Sequence, residues 1–104
     1  LLLAKGLEQL AARHDSIGEV RGLGFLYGVE ICRRGRRDEA GSQEARWLLN
    51  EIFRRGVLVG LTGPNRNAMN ILKIRPPMTF SAANADQLLT ALGESLSALE
   101  RQGL

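Results

Sequence analysis

The chain has 104 residues, 44% of them hydrophobic and 24% charged, which fits one domain burying roughly 60–70% of the surface its unfolded form exposes. No apolar run approaches the ~20 residues needed to span a bilayer, so no membrane role follows. Lysine and arginine number 14 against 11 acidic residues, and the resulting charge of +3 is too small to demand nucleic acid as a partner.

Cys32 is the single cysteine and His14 the single histidine. An internal disulfide and a structural zinc site are therefore not expected, and a reducing, cytoplasmic setting is. The sequence opens on Leu1-Leu2-Leu3 with no preceding basic stretch, so it reads as a fragment starting inside a helix.

Leu3, Leu7, Leu10 and Ala11 recur at steps of three and four, which predicts an amphipathic helix from Leu3 to about Arg13. Turn formers span His14 to Gly18. Val20 to Cys32 is rich in strand formers and predicts a strand bent near Gly22-Leu23-Gly24, with Phe25, Tyr27, Val29 and Ile31 on the core face. The stretch from Arg33 to Gly41 is charged and bounded by glycines, the pattern of an exposed loop. Ser42 is the expected N-cap of a second helix, with Glu44 in its first turn and Ala45, Leu48, Leu49, Ile52 and Phe53 as its apolar stripe. That helix ends at Gly56, which can take the left-handed cap.

Val57 to Leu61 reads as a short strand, and Thr62 to Asn67 as a surface loop. Ile71 to Arg75 alternates, putting Leu72 and Ile74 on one face and Ile71, Lys73 and Arg75 on the other, until Pro76-Pro77 stops the ladder. Ser81 caps a long final helix carrying Ala85, Leu88, Leu89, Leu92, Leu96 and Leu99. The expected architecture is α+β: a small, mostly antiparallel sheet of three to four strands covered on one face by three helices.

Most chemistry-bearing residues have ordinary readings. Gly22, Gly24 and Gly28 lead into a strand rather than from a strand into a helix, which is the wrong context for a dinucleotide loop. Arg33, Arg34, Arg36 and Arg37 carry no interleaved aromatic residue for base stacking, so a solvated surface is the reading and nucleic acid is not an expected partner. His14 sits where helix C-termini often carry histidine, and Cys32 reads as a small packing residue. Lys73 and Arg75 differ: two cations on one strand face repel unless an anion, a carboxylate or a partner surface meets them. They are the candidate substrate-binding residues; no catalytic, metal or cofactor-binding residue is assigned.

Three blocks then resemble one family. Ile17-Gly18-Glu19-Val20-Arg21-Gly22-Leu23-Gly24-Phe25-Leu26-Tyr27-Gly28-Val29-Glu30 is similar to the segment that opens the small C-terminal domain of class III, fold type I aminotransferases. Arg55-Gly56-Val57-Leu58-Val59-Gly60 and Leu72-Lys73-Ile74-Arg75-Pro76-Pro77 resemble two later blocks of the same domain, in the same order. The resemblance implies a single domain over 1–104, cut from a pyridoxal-phosphate-dependent aminotransferase in which it closes the active site and helps recognise an anionic amine or amino-acid substrate. It also implies a missing N-terminal large domain, a homodimeric parent and a cofactor lysine outside this chain. Neither Lys5 nor Lys73 matches that lysine, so the fragment alone is expected to bind no cofactor and to be inactive.

In the family, the position of Lys73 is usually an arginine that clamps the substrate carboxylate. Lysine supplies a point charge in place of a planar fork, so this difference bears on substrate choice. The chain resembles most the branch containing phospholyases for phosphorylated amines, with Ala68-Met69-Asn70 as an insertion relative to it. Arg21 matches the family motif and reads as structural, bridging to the sheet edge or to a carboxylate, with substrate contact as the alternative. A stand-alone small-molecule-binding regulatory module is the alternative of another class.

Overall fold

A computed structural model of the chain describes residues 2–23, 26–33, 36–64, 68–76 and 80–102. Three helices, α1 (Leu2–Arg13), α2 (Ser42–Arg54) and α3 (Ala82–Arg101), accompany five strands: β1 (Ile17–Leu23), β2 (Leu26–Arg33), β3 (Arg36–Ala40), β4 (Gly60–Thr62) and β5 (Ile71–Ile74). The sheet runs β1-β2-β5-β4, antiparallel throughout, and β3 pairs with the far end of β2. This is the expected α+β sandwich.

The expected single strand from Val20 to Cys32 is two strands. Leu23 pairs with Leu26 and Ile17 with Ile31, so β1 and β2 are antiparallel neighbours. Alternation alone cannot distinguish a bend from a reversal, because the side-chain period is two in both arms. The expected arginine-rich loop is also partly a strand: β3 pairs Cys32 with Ala40 and Arg33 with Arg36. Its charges are balanced locally, Glu39 accepting from Arg33 at 3.2 Å and from Arg36 at 3.0 Å. Arg34, like Phe25, lies outside the described residues.

One apolar core fills the space between the sheet and the helices. Val29, Ile31 and Leu72 are fully buried from the sheet side, and Leu7, Leu48, Ile52, Leu92 and Leu96 meet them from α1, α2 and α3. Phe53, assigned to the α2 stripe, is instead 63% exposed, while its neighbour Ile52 in the same turn faces the core at 1%.

The helix ends follow their sequence signals unevenly. Ser81 accepts from the Asn84 N–H at 3.1 Å while Asn84 Oδ1 accepts from the Ser81 N–H at 3.1 Å, a complete capping box for α3. At α2 the N-cap is Gly41 and not Ser42, with no side-chain cap. A Cβ on Gly41 would lie 2.8 Å from the Cys32 carbonyl carbon, so the start of α2 presses against β2 more closely than any other residue would allow. Gly56 leaves α2 at φ +90, the left-handed conformation its position calls for.

Polar contacts of Arg55 and His14 fasten the helix layer. Arg55 donates to Glu94 at 2.8 Å and to Glu51 at 3.1 Å, bridging α2 to α3. His14 Nδ1 lies 2.7 Å from Glu100 Oε2, and since the carboxylate can only accept, Nδ1 carries the proton. His14 thus ties the end of α1 to the end of α3, as well as closing its own helix through the Leu10 carbonyl at 2.9 Å. Cys32 is 2% exposed and its thiol points at the Asp15 carbonyl, 3.2 Å away, a packing role. Among the described residues no helix is long and apolar enough to cross a membrane.

Candidate functional site

The second face of the sheet is free of helices. Register partners in neighbouring strands point their side chains to the same face, so the ladder defines rows across the sheet. Arg21 pairs with Gly28, Gly28 with Lys73 and Lys73 with Gly60, which puts cation, glycine, cation and glycine in one row across β1, β2, β5 and β4. The flanking row reads Glu19, Glu30, Ile71 and Thr62. Leu72 and Ile74 turn the other way into the core, 0% and 5% exposed, and this fixes Lys73 on the open face.

A concavity of about 400 Å³ lies over that row. Arg21, Gly28, Thr62, Ile71 and Lys73 are in its wall, together with Leu26. Among the described residues its lining includes two basic side chains and no acidic one. Lys73 is half-buried and makes no ion pair among the described residues. Arg21 is paired, as its structural reading anticipated: its Nε donates to Glu19 Oε2. That hydrogen bond, and then the charge of Glu19, hold the Arg21 guanidinium above its ordinary pKa, so it is a permanent cation.

Arg75 does not share this concavity. It is exposed just past the end of β5, beside a separate hollow of about 210 Å³ whose wall includes Val57, Leu58, Pro76, Phe80 and Gln87. The two cations grouped by alternation are therefore divided: Lys73 joins Arg21, and Arg75 joins the start of α3. The partnership of Arg21 with Lys73 was not legible from either motif alone, since it depends on which strand lies between them. Asn70 was also missed. It is 5% exposed, accepts from the Ile31 N–H at 2.7 Å and donates from its side chain to the Ile31 carbonyl at 3.0 Å, sealing β5 to β2.

Lys5 is exposed on α1 in the helix layer, and Lys73 projects from the opposite face of the sheet. What the concavity presents is the positive charge of Lys73 and Arg21.

Comparison with known proteins places this geometry. The family model for class-III aminotransferases matches residues 1–96, and the chain belongs to that family. It is 32% identical over 103 residues to the alanine–glyoxylate aminotransferase 2-like protein of Drosophila melanogaster, covering 98% of this chain and 20% of that protein. Its fold superposes with a TM-score of 0.84 on an Arthrobacter phospholyase in complex with phosphoethanolamine, at 34% identity over 92% of this chain and 22% of that one. An amine transaminase from an uncultivated Pseudomonas species, solved with pyridoxal phosphate bound, gives a TM-score of 0.76 at 25% identity, covering 93% of this chain and 21% of that one. The chain thus spans about a fifth of the length of these relatives.

Proposed function

We propose that this chain is the small domain of a longer pyridoxal-phosphate-dependent enzyme, that it closes one side of the active site, and that Lys73 binds the anionic group of an amine or amino-acid substrate. The observation that carries the reading is the placement of Lys73: a half-buried cation, without an ion pair among the described residues, in a concavity on the sheet face the described helices leave open. The short span relative to the family's members supports a large domain elsewhere in the polypeptide, which would supply the cofactor and its lysine. A homodimeric parent accords with the family. Pyridoxal phosphate, bound there, would supply the electron sink for the carbanion. Lys73 acts on the substrate's charge and leaves the proton transfers to groups outside this chain.

The test is Lys73→Ala in the full-length enzyme. A charged hydrogen bond is worth about 1.5–3 kcal/mol, so the KM for an anionic amine should rise roughly 10- to 150-fold with kcat far less affected. An unchanged KM would show that Lys73 faces solvent.

A second reading, phosphate elimination from a phosphorylated amine, is favoured by the lysine in the usual arginine position and by the likeness to the phosphoethanolamine-bound phospholyase. Release of inorganic phosphate from such a substrate separates it from amino transfer to a 2-oxo acid.

A further inference from the structure

The row on the open sheet face carries more than the lysine. We infer that Arg21 is a second anion-recognising side chain of the Lys73 concavity, and that the pair selects a doubly charged anionic group over a singly charged one. This deepens the proposed function and rests on it.

Arg21 and Lys73 are register partners of the same residue, Gly28. Their Cα atoms therefore lie two strand spacings apart, about 9–10 Å, a gap that two long flexible side chains close easily. Gly28 puts no side chain between them, and a Cβ there would come within 3.2 Å of Ile71 Cγ2. The floor between the cations is the Gly28 backbone flanked by the Ile71 methyl, with no polar side chain from the strand that separates them.

Arg21 has the donors to serve. Its only hydrogen bond among the described residues uses Nε, leaving both Nη groups available, and its side chain is 71% exposed. Glu19 orients the guanidinium from the side without entering the concavity wall. Glu30, the other nearby acid, places its Oε1 over Gly18, 2.9 Å from where a Cβ on that residue would be, and its charge is still felt at Arg21. An anion between Arg21 and Lys73 therefore meets two positive charges in the wall, with Glu19 and Glu30 in the flanking row and no acid among the described lining residues. A carboxylate needs only one of these cations, whereas a phosphate monoester, at about −1.5 to −2 charge, uses both.

The test is NMR titration of the 104-residue chain with inorganic phosphate and with acetate, at about pH 8 and constant ionic strength. Wild type should bind phosphate several-fold more tightly than acetate, with shifts centred on Gly28 and Lys73. Arg21→Gln should weaken phosphate about threefold or more while leaving acetate nearly unchanged, and Arg21→Lys should recover part of the loss, since a partly exposed charge pair contributes up to a factor of about five. Arg54→Gln, on the helix layer, should change neither. If Lys73→Gln weakens both anions but Arg21→Gln weakens neither, the inference fails and the role of Lys73 stands. If Lys73→Gln also changes nothing, the anion site itself is refuted.

Discussion

Replacing Gly41 by alanine measures how tightly α2 is pressed against the central strand. The new Cβ would sit 2.8 Å from the Cys32 carbonyl carbon, 2.9 Å from its oxygen and 3.2 Å from Ile31 Cγ2. The two nearest atoms are backbone, so no rotamer change relieves the clash and the start of the helix must move. Movement strains the Gly41 N–H bond to the Ile31 carbonyl, now 2.9 Å, and the bond from the Ala45 N–H to the Gly41 carbonyl, now 2.8 Å. Overpacking of this kind costs about 1–3 kcal/mol and a weakened hydrogen bond up to about 1 more. Against that, alanine restricts the unfolded chain, which returns about 0.4–1 kcal/mol. The φ of −94 suits any residue, so no conformational penalty is added. The net expectation is a loss of about 1–3 kcal/mol, or roughly 5–20 °C in Tm for a domain of this size. Thermal and urea denaturation followed by circular dichroism read it directly. Gly60→Ala is the internal control, because its Cβ would meet only ordinary contacts at 3.5 Å and beyond, and its stability should stay within about 0.5 kcal/mol of wild type. A Gly41→Ala loss as small as that control's would refute the close-packing argument.

Two further substitutions probe the same fold. Leu72→Ala, at a side chain with no exposure in the strand beside Lys73, should cost about 2–5 kcal/mol by urea denaturation, the spread reflecting how far the core collapses into the cavity. Ser81→Ala removes one half of the α3 capping box and should cost about 1 kcal/mol, visible as increased hydrogen exchange at the first turn of α3 with the sheet unaffected.

The sequence made the helices legible because their stripes are long: Leu88, Leu92, Leu96 and Leu99 are all buried on one side of α3, as their spacing requires. It also placed Lys73 correctly, since Leu72 and Ile74 leave it no other face. The pairing of β1 with β2 was hidden because a period-two pattern runs through both strands, so alternation reads the same whether the chain continues or reverses. β3 was hidden for a different reason. Five charged or small residues lack the apolar alternation of a strand, and this one is held by pairing to the end of β2 and by Glu39 between two arginines. The site was half legible. Motif comparison pointed to Lys73, but its neighbour is set by strand order, which brings residue 21 near residue 73 through residue 28 and sends Arg75 to a different hollow.

Registration errors are the standing hazard of a sheet whose strands are as short as β5, four residues, and β4, three. A slip of one residue between β5 and β2 would turn every side chain of β5 over, carrying Lys73 beneath the helices and lifting Leu72 and Ile74 into water. An unpaired ammonium among Val29, Leu48 and Leu92 would cost several kcal/mol, more than four residues of ladder can return. Asn70 adds a second lock, because its backbone and side chain both grip Ile31 just ahead of the strand. The lysine that gives the open face its charge is thus also the residue that makes a mispaired sheet untenable, and a substitution chosen only to change substrate would loosen the register along with it.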